Sequence, residues 1–215
     1  MWAEKYRPKR LDEIVGQDRV VRYLKSVINN GGELNHCIFY GASGTGKTST
    51  AYALANELNT HVIEFNASDD RTLNFIREKI IPAMRYKSFS GEYKIIFLDE
   101  ADNLMKDSLF ALRRPMETYY KNARIIFSCN DVSVFNQVPA IKSRCIVFQF
   151  KPLQPEDIAK RLRQICTAEG VQVGDSVLRY ISKKAHGDMR IAINMLESYV
   201  NGGLEINEFE LELGI

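Results

Sequence analysis

The sequence predicts an α/β fold: a five-stranded parallel sheet with helices on both faces, followed by a small all-helical domain. Five short runs are apolar almost throughout rather than alternating, which is typical of strands covered on both faces. Stretches with helical periodicity lie between them, as in an α/β sandwich. No further strand-like run follows Phe150. The five runs are His36–Tyr40, His61–Asn66, Lys94–Asp99, Arg124–Asn130 and Cys145–Phe150.

The change of character after Phe150 marks the expected domain boundary. The segment KPLQPEDIAKRL contains two prolines and an acidic turn before a helical pattern, and further helical stretches lie near residues 174–185 and 188–200. We therefore expect a first α/β domain over residues 1–150 and a helical domain over residues 151–203. Residues 204–215 are expected to be a linker or the start of another domain.

Composition excludes several classes of protein. The formal net charge of the 215 residues is only +2, so any contact with nucleic acid needs a local basic surface. The four cysteines have no metal-like spacing, and three lie in apolar runs, as expected in a reducing compartment. The start MWAEKYRPKR lacks the apolar core of a signal peptide, and no stretch is apolar enough to span a membrane. We expect a soluble, intracellular protein with no membrane partner.

The segment GASGTGKT fits the phosphate-loop pattern G-x-x-x-x-G-K-[ST], with a strand before it and a helix over residues 47–58 after it. Glycines allow a tight turn that points backbone N–H groups at phosphate oxygens. Lys47 is expected to contact the β- and γ-phosphates of ATP, and Thr48 to offer a hydroxyl to Mg²⁺. The structural alternative is a glycine-rich turn that only joins a strand to a helix. The residues expected to bind the nucleotide are Gly41, Ala42, Ser43, Gly44, Thr45, Gly46, Lys47, Thr48 and Ser49.

A second motif, KIIFLDEAD, ends an apolar run with Asp99 and Glu100. The carboxyl ends of strands are where ligands bind in open α/β sheets. Asp99 can hold Mg²⁺ through water, and Glu100 can orient and deprotonate an attacking water. The structural alternative is an acidic cluster in which Asp102 caps the next helix, and both can be true. The letters DEAD suggest a helicase, but the chain is too short for a second motor domain of that kind. The two motifs together predict ATP hydrolysis.

The order of these motifs resembles the AAA+ ATPases and, more narrowly, the small subunit of replication factor C, the sliding-clamp loader of archaea and eukaryotes. The match runs from the N-terminus to about residue 200, and we expect the archaeal form. The resemblance implies a RecA-like five-stranded sheet followed by a helical lid. The matching segments are EKYRPKRLDEIVGQ, GASGTGKTSTA, EFNASDDR, KIIFLDEADNL, ALRRPMETYYKNARIIFSCN, IKSRCIVFQFKPL and AHGDMRIAINMLE.

The resemblance assigns roles to three polar residues outside the two motifs. Asn130 matches sensor 1, which places the water or contacts the γ-phosphate, although a strand-end turn residue would also fit there. Asn66 matches the switch residue that holds the catalytic glutamate back until DNA binds. Arg190 matches sensor 2, an arginine that reaches from the lid over the nucleotide. Independently, Asp188 suits a helix N-cap, and an arginine in the first turn opposes the helix dipole, as a functional charge would.

The resemblance also implies that two N-terminal segments wrap the adenine. From the residues alone, these segments predict only an ordered N-terminal arm. The residues concerned are Tyr6, Arg7, Pro8, Val15, Gly16 and Gln17.

Arg144 stands in the segment SRC, at the start of an apolar run. It resembles the arginine finger that one subunit inserts into the ATP site of its neighbour, where a planar, permanently charged guanidinium suits the transferring phosphoryl group. The alternatives are a surface arginine at a strand edge or a salt-bridge partner within its own chain. If Arg144 is a finger, the single chain should be poorly active until another subunit arrives.

In the family, helices after the NASDD segment follow the phosphate backbone of primer-template DNA. Arg71 precedes the corresponding helix, and Arg77 and Lys79 lie on it, so they are candidate phosphate contacts. A basic helical face is more often simply solvated. The resemblance implies three kinds of partner: other clamp-loader subunits in a ring or spiral oligomer, the sliding clamp, and primer-template DNA.

The sequence departs from the family pattern in three places. The two prolines of the family's phosphate loop are Ala42 and Ser43 here, which loosens the turn without removing a ligand. Pro115 lies in an expected helix, where an interior proline costs about 3 kcal/mol, so that helix should start late or bend. The family's third, helical collar domain is represented at most by its approach in residues 204–215. We therefore expect a shortened form or one part of a larger protein.

Three functions compete at this point. The first is a clamp-loader ATPase subunit with ATP and Mg²⁺ as cofactors, cytoplasmic if archaeal and nuclear if eukaryotic. The second is another DNA-associated AAA+ motor, for branch migration or replication stress. The third is a nucleotide-binding structural subunit without hydrolysis of its own, against which the intact Lys47, Thr48, Asp99 and Glu100 argue.

Overall fold

The computed structural model describes residues 1–31, 33–87, 93–204 and 206. Its centre is one sheet in the order β2-β3-β4-β1-β5, and every neighbouring pair is parallel. This confirms the predicted fold class, and the strands differ from the predicted runs by one residue at most at each end. They are β1 His36–Tyr40, β2 Val62–Asn66, β3 Lys94–Asp99, β4 Ala123–Cys129 and β5 Cys145–Gln149.

The strand order explains which apolar runs are fully covered. The central strands β1, β3 and β4 are almost wholly buried, whereas the edge strands β2 and β5 keep partly exposed side chains. A strand in the middle of a parallel sheet has neighbours on both sides and helices on both faces, so only apolar side chains suit it.

Helices cover both faces of the sheet and continue beyond it. Helices α2 and α3 share one hydrophobic cluster with the sheet, and the helices between residues 73 and 142 share the other. No helix of the described residues is long and apolar enough to cross a membrane. The helices are α1 Trp2–Lys5, α2 Asp18–Asn29, α3 Lys47–Glu57, α4 Leu73–Phe75, α5 Ile81–Arg85, α6 Lys106–Ala111, α7 Arg113–Thr118, α8 Ser133–Asn136, α9 Pro139–Lys142, α10 Pro155–Glu169, α11 Asp175–Lys184 and α12 Met189–Val200, with 3₁₀ turns at Leu11–Glu13 and Ala101–Asn103.

The helical segment after β2 contains a π turn over Ile76–Ile80, between α4 and α5. Ile76, Ile80 and Met84 are fully buried, whereas Leu73 is partly exposed. Residues spaced by four drift around an α-helix of about 3.6 residues per turn. A wider π turn corrects this drift and keeps the three side chains on the sheet.

Two short helices meet just before Pro115, as the position of this proline predicts. Helix α6 ends at Ala111 and α7 begins at Arg113, so Pro115 lies in the first turn of α7. A proline has no N–H to donate to the carbonyl four residues earlier, which here is that of Ala111. The break at Leu112 removes this mismatch.

Helices α10, α11 and α12 form the lid, with a hydrophobic cluster of their own around Leu162, Ile181 and Leu196. The side chains of Trp2 and Tyr6 pack against this cluster, although they belong to the segment that the sequence analysis assigned to the first domain. Tyr6 also donates a hydrogen bond of 2.8 Å from its hydroxyl to Glu169. Of the segment 204–215, residues 205 and 207–215 lie outside the described residues.

A buried imidazole links β1 to its surroundings at the amino edge of the sheet. The Nδ1 atom of His36 accepts a hydrogen bond of 2.9 Å from the Ile125 N–H, so Nε2 donates to the Met116 carbonyl at 3.1 Å. Burial lowers the pKa of His36 from 6.5 to about 4. The folded protein therefore holds this ring neutral at pH values where the unfolded chain protonates it.

We predict that the free energy of unfolding falls as the pH drops from about 6.5 to about 4. The unfolded imidazole binds a proton across this window and the folded one does not. The free energy of unfolding should therefore be lower by roughly 3 kcal/mol at about pH 4. Urea unfolding at several pH values measures it. His36→Gln should flatten this part of the profile, whereas His61→Gln, at an exposed position, should leave it as steep. Equal slopes for the parent and His36→Gln would contradict the assignment.

Candidate nucleotide-binding site

The phosphate loop and the ends of β3 and β4 meet in one pocket at the carboxyl edge of the sheet, with the lid and the N-terminal arm forming its other walls. Parallel strands all end at the same edge, so three segments far apart in sequence come together. The predicted site residues that line this pocket are Tyr6, Arg7, Pro8, Val15, Ser43, Gly44, Thr45, Gly46, Lys47, Thr48, Ser49, Asp99, Glu100, Asn130 and Arg190.

The ammonium group of Lys47 lies inside the turn of the phosphate loop. It donates to the carbonyls of Gly41 at 2.6 Å and Ala42 at 2.9 Å, and to Oδ1 of Asn130 at 3.3 Å. Burial lowers the pKa of Lys47, and the charge of Asp99 opposes this shift. Thr45 also donates to the Ala42 carbonyl, at 2.8 Å, which supports the turn without the prolines of the family pattern. A buried cation within a loop of backbone N–H groups suits a phosphate.

Gly44 connects the phosphate loop to the lid. Its carbonyl accepts a hydrogen bond of 3.1 Å from the Met189 N–H, at the start of α12. Its φ is +65°, and a Cβ added there would lie 1.8 Å from Oδ1 of Asp188. That carboxylate caps α12 by accepting from the Ile191 N–H at 2.9 Å, as the sequence predicted. Only glycine allows the loop and the lid helix to approach this closely.

The side chains at the ends of α3 and β3 fit a magnesium ion. The Thr48 hydroxyl lies 3.4 Å from Oδ2 of Asp99, and Oδ1 of Asp99 accepts from the Glu100 N–H at 3.0 Å. Hydroxyl and carboxylate oxygens are the ligands that Mg²⁺ prefers, together with nucleotide phosphates. The buried Ser128 hydroxyl lines the same pocket and has no hydrogen-bond partner among the described residues, as expected for a group that a polar ligand satisfies.

Glu100 is held in a left-handed backbone conformation, with φ +52° and ψ +38°. Such conformations are uncommon for residues other than glycine and cluster at functional sites. Its carboxylate accepts hydrogen bonds from the Ser68 hydroxyl and from Nδ2 of Asn103, the latter at 3.3 Å. Asn66, the expected switch residue, instead accepts from the Ser68 N–H at 2.8 Å. In this structure Ser68, rather than Asn66, makes the direct contact with Glu100.

Asn130 and Asp102 meet just beyond β4. Oδ2 of Asp102 accepts from the backbone N–H groups of Asn130 at 3.2 Å and Asp131 at 3.4 Å. The suggestion that Asp102 caps the next helix is therefore wrong, because that helix, α6, has no side-chain cap. Asp102 instead fixes the backbone that carries Asn130 beside Lys47.

Four of the predicted nucleotide contacts do not line the pocket: Gly41, Ala42, Gly16 and Gln17. Gln17 is buried and bridges two segments, since Nε2 donates to the carbonyls of Thr45 at 3.2 Å and Lys151 at 2.8 Å. It therefore supports the phosphate loop from behind and ties it to the segment that leads into the lid.

Sequence reasoning missed several lining residues from the lid and the arm. Arg161 on α10 donates from Nη2 to the Tyr6 carbonyl at 3.0 Å, which ties the N-terminal arm to the lid. Nothing in the helical pattern of α10 distinguishes Arg161 from the other basic residues of this helix, Lys160 and Arg163. The missed lining residues are Ala3, Glu4, Glu13, Ile14, Ser128, Cys129, Leu153, Arg161, Met189 and Ile193.

Four predicted site residues lie away from the pocket. Arg144 precedes β5 at the amino edge of the sheet, beside His36, which pairs with Cys145. Arg71, Arg77 and Lys79 are exposed, and none of their side chains forms an ion pair with a described residue. The Arg71 carbonyl accepts from the Met105 N–H at 3.3 Å and from the Ser108 hydroxyl at 2.9 Å, which anchors its loop on α6.

Comparison with known proteins agrees with this geometry. The model of the ATPase family associated with various cellular activities (AAA) matches residues 37–153, and the RCF1/5-like AAA+ ATPase lid domain matches residues 160–200. The replication factor C small subunit of Picrophilus torridus is 44% identical over 94% of this chain, and that of Methanococcus vannielii is 40% identical over 96%. The chain belongs to the replication factor C small-subunit family of AAA ATPases.

The chain spans 65% of the length of the Picrophilus replication factor C small subunit and 67% of the Methanococcus one. A solved structure described as the Holliday junction branch migration motor RuvB of Thermotoga maritima has a TM-score of 0.77. It is 20% identical, and the match covers 97% of this chain and 72% of that one. At this identity the likeness concerns the fold alone.

We predict that Gly44→Ala lowers nucleotide affinity by roughly tenfold or more, because the new methyl group would displace Asp188 and the start of α12. Titration with a fluorescent ATP analogue measures this. Gly170→Ala is the matched control, since Gly170 also has a positive φ, +68°, but no heavy atom within 4 Å of an added Cβ. It should lose about 1 kcal/mol of stability and keep its nucleotide affinity. Equal affinities in the two variants would contradict the loop–lid contact.

Proposed function

We propose that the chain is an ATP-hydrolysing subunit of a DNA sliding-clamp loader, active in an oligomer that completes its site. The observation that carries this proposal is the separation of Arg144 from the pocket. The pocket follows the carboxyl end of β1, and Arg144 lies beside its amino end. Five residues of strand span roughly 16 Å. The finger of one chain is therefore suited to the site of another.

Within the site, each role is a proposal supported by position. The phosphate loop with Lys47 would hold the triphosphate, while Thr48 and Asp99 would hold Mg²⁺, which supplies charge neutralisation at the phosphates. Glu100 would orient and deprotonate the attacking water, assisted by Asn130. Arg190, in the first turn of α12, would contact the phosphates from the lid.

The N-terminal arm and the lid would enclose the base. Tyr6, Arg7, Pro8 and Val15 line the pocket and would contact the adenine, whereas Gly16 and Gln17 would support them. Asn66 remains the proposed switch residue; since Ser68 lies between it and Glu100, the pair would act together.

The proposed partners are other clamp-loader subunits, the sliding clamp and primer-template DNA, as the family membership suggests. ATP binding would favour clamp opening and DNA binding, and hydrolysis would release the closed clamp. The exposed cations Arg71, Arg77 and Lys79, which form no ion pair with a described residue, would contact phosphates without reading bases. The proposed domains are residues 1–150 for the nucleotide and residues 151–203 for the lid, followed by a linker. The proposed location is the cytoplasm in an archaeon and the nucleus in a eukaryote.

We predict that the ATPase rate per chain rises with protein concentration and with primer-template DNA, because each site needs an arginine from a neighbour. Arg144→Ala should lower this rate by roughly 10³-fold, within the range known for fingers supplied in trans. Glu100→Gln should lower it while leaving ATP binding intact. A rate that is independent of concentration and equal in the parent and Arg144→Ala would contradict the proposal. Equal hydrolysis by the parent and Glu100→Gln would instead indicate a structural subunit.

We predict that the triple variant Arg71→Gln, Arg77→Gln, Lys79→Gln binds primer-template DNA more weakly and with a weaker salt dependence. Each lost phosphate contact should reduce the slope of log K against log salt by roughly 0.9. Fluorescence anisotropy at several salt concentrations measures the slope. The control removes the same charge from the lid at Lys160, Arg179 and Lys183, which are exposed. If the slope of log K against log salt falls equally in both variants, it reflects the net charge of the chain, and the proposed contacts are wrong.

A further inference from the structure

Two acceptors of its own chain hold the guanidinium of Arg144. Nε donates to Oε1 of Glu117 at 2.9 Å, Nη2 donates to the same oxygen, and Nη1 donates to the Ala140 carbonyl. A guanidinium has a single N–H on Nε and a pair of N–H donors on each terminal nitrogen. The three bonds therefore fix the plane of the guanidinium and leave donors on the two terminal nitrogens for a second anion.

The position of Glu117 is explained by Arg144 rather than by its own helix. Glu117 lies in the last turn of α7, where a carboxylate faces the negative end of the helix dipole and is disfavoured. Arg144 and Glu117 line one groove at the amino edge of the sheet, together with Lys87 and Lys121. Among the described residues lining this groove, Glu117 is the only carboxylate.

The exposure of the pair argues against a purely stabilising role. The side chain of Glu117 is 59% exposed and that of Arg144 is 24% exposed. Ion pairs open to solvent contribute little to stability. The same pair is nevertheless effective as a restraint, because a long arginine side chain held in one rotamer loses less freedom when it binds a further anion.

We propose that Glu117 is a positioning residue, which holds the guanidinium of Arg144 in the orientation that the nucleotide of a neighbouring chain requires. This inference rests on the proposed action of Arg144 between chains. The pair need not break when the finger engages, since the terminal donors remain available. Loss of the carboxylate should therefore slow the reaction at the neighbour's site and leave the chain's own site unaffected.

Mixing two defective chains separates these sites. A Lys47→Ala chain keeps its finger but has a defective phosphate loop, and an Arg144→Ala chain keeps its loop but has no finger. Any activity of the mixture above that of either chain alone arises at one kind of site. There, Arg144 of the Lys47→Ala chain reaches the intact phosphate loop of the Arg144→Ala chain. Glu117→Ala is then added to one chain at a time. Glu156→Ala serves as the matched control, since Glu156 is an exposed carboxylate on the lid.

We expect Glu117→Ala in the Lys47→Ala chain to lower the kcat of the mixture by roughly tenfold, with an unchanged KM for ATP. The same change in the Arg144→Ala chain should have no effect, and Glu156→Ala should have none in either. Glu117→Gln, which keeps an acceptor oxygen, should restore part of the rate. A kcat that is unchanged by Glu117→Ala in the finger-donating chain, or lowered equally by it in both chains, would overturn the inference.

A second measurement needs no assembly. In the single parent chain, the Nε–H group of Arg144 should give a rigid, slowly exchanging NMR signal, assigned by its loss in Arg144→Ala. The signal should lose this protection in Glu117→Ala and keep it in Glu156→Ala. An equally protected signal in Glu117→Ala would overturn the inference. A third outcome is that the protection depends on Glu117 but mixtures of the two defective chains stay inactive. Glu117 would then restrain Arg144, and the proposed action of Arg144 between chains would be rejected.

Discussion

All five strands of the sheet run in the same direction, and the arrangement of the molecule depends on this. Their carboxyl ends form one edge, where the phosphate loop, Asp99 and Asn130 meet in the pocket. Their amino ends form the opposite edge, where Arg144 lies. Because β1 borders both places, its length keeps them apart. The rigid sheet therefore separates the phosphate loop from Arg144 within one chain.

The lid is attached at the carboxyl edge of the sheet, because it contacts the phosphate loop there. The Gly44 carbonyl receives the Met189 N–H, and Gln17 joins the loop to Lys151 at the approach to the lid. The N-terminal arm is bound to the lid by Tyr6, whose hydroxyl donates to Glu169 and whose carbonyl accepts from Arg161. The phosphate loop is thus hydrogen-bonded directly to the backbone of α12.

Buried polar groups at the two edges of the sheet differ in whether they have partners within the described residues. At the amino edge, the buried Arg124 lies between the rings of Tyr93 and Tyr120, at 4.6 and 3.4 Å from their centroids, and donates to the Leu34 carbonyl. These groups are satisfied by the protein itself and support the fold. At the carboxyl edge, the buried Ser128 hydroxyl lines the pocket and has no hydrogen-bond partner among the described residues, as suits a group that binds a ligand.

The strands, the phosphate loop and the acidic motif follow from the amino-acid sequence alone, because each is encoded locally. Continuous apolar runs predict buried strands, and the glycine spacing of the loop predicts a turn around phosphate. The cap at Asp188 and the break near Pro115 were also local, since each depends on a backbone N–H within one helical turn.

Which distant residues meet depends instead on how the folded chain packs. The order β2-β3-β4-β1-β5 brings Asn130 beside Lys47. Ser68 reaches Glu100 from another strand end, Arg161 reaches the pocket from the lid, and Glu117 holds Arg144 across 27 positions of sequence. None of these pairs has a signal in the local pattern. Each contact arises from packing between elements, so its partners can be identified only when the chain is folded.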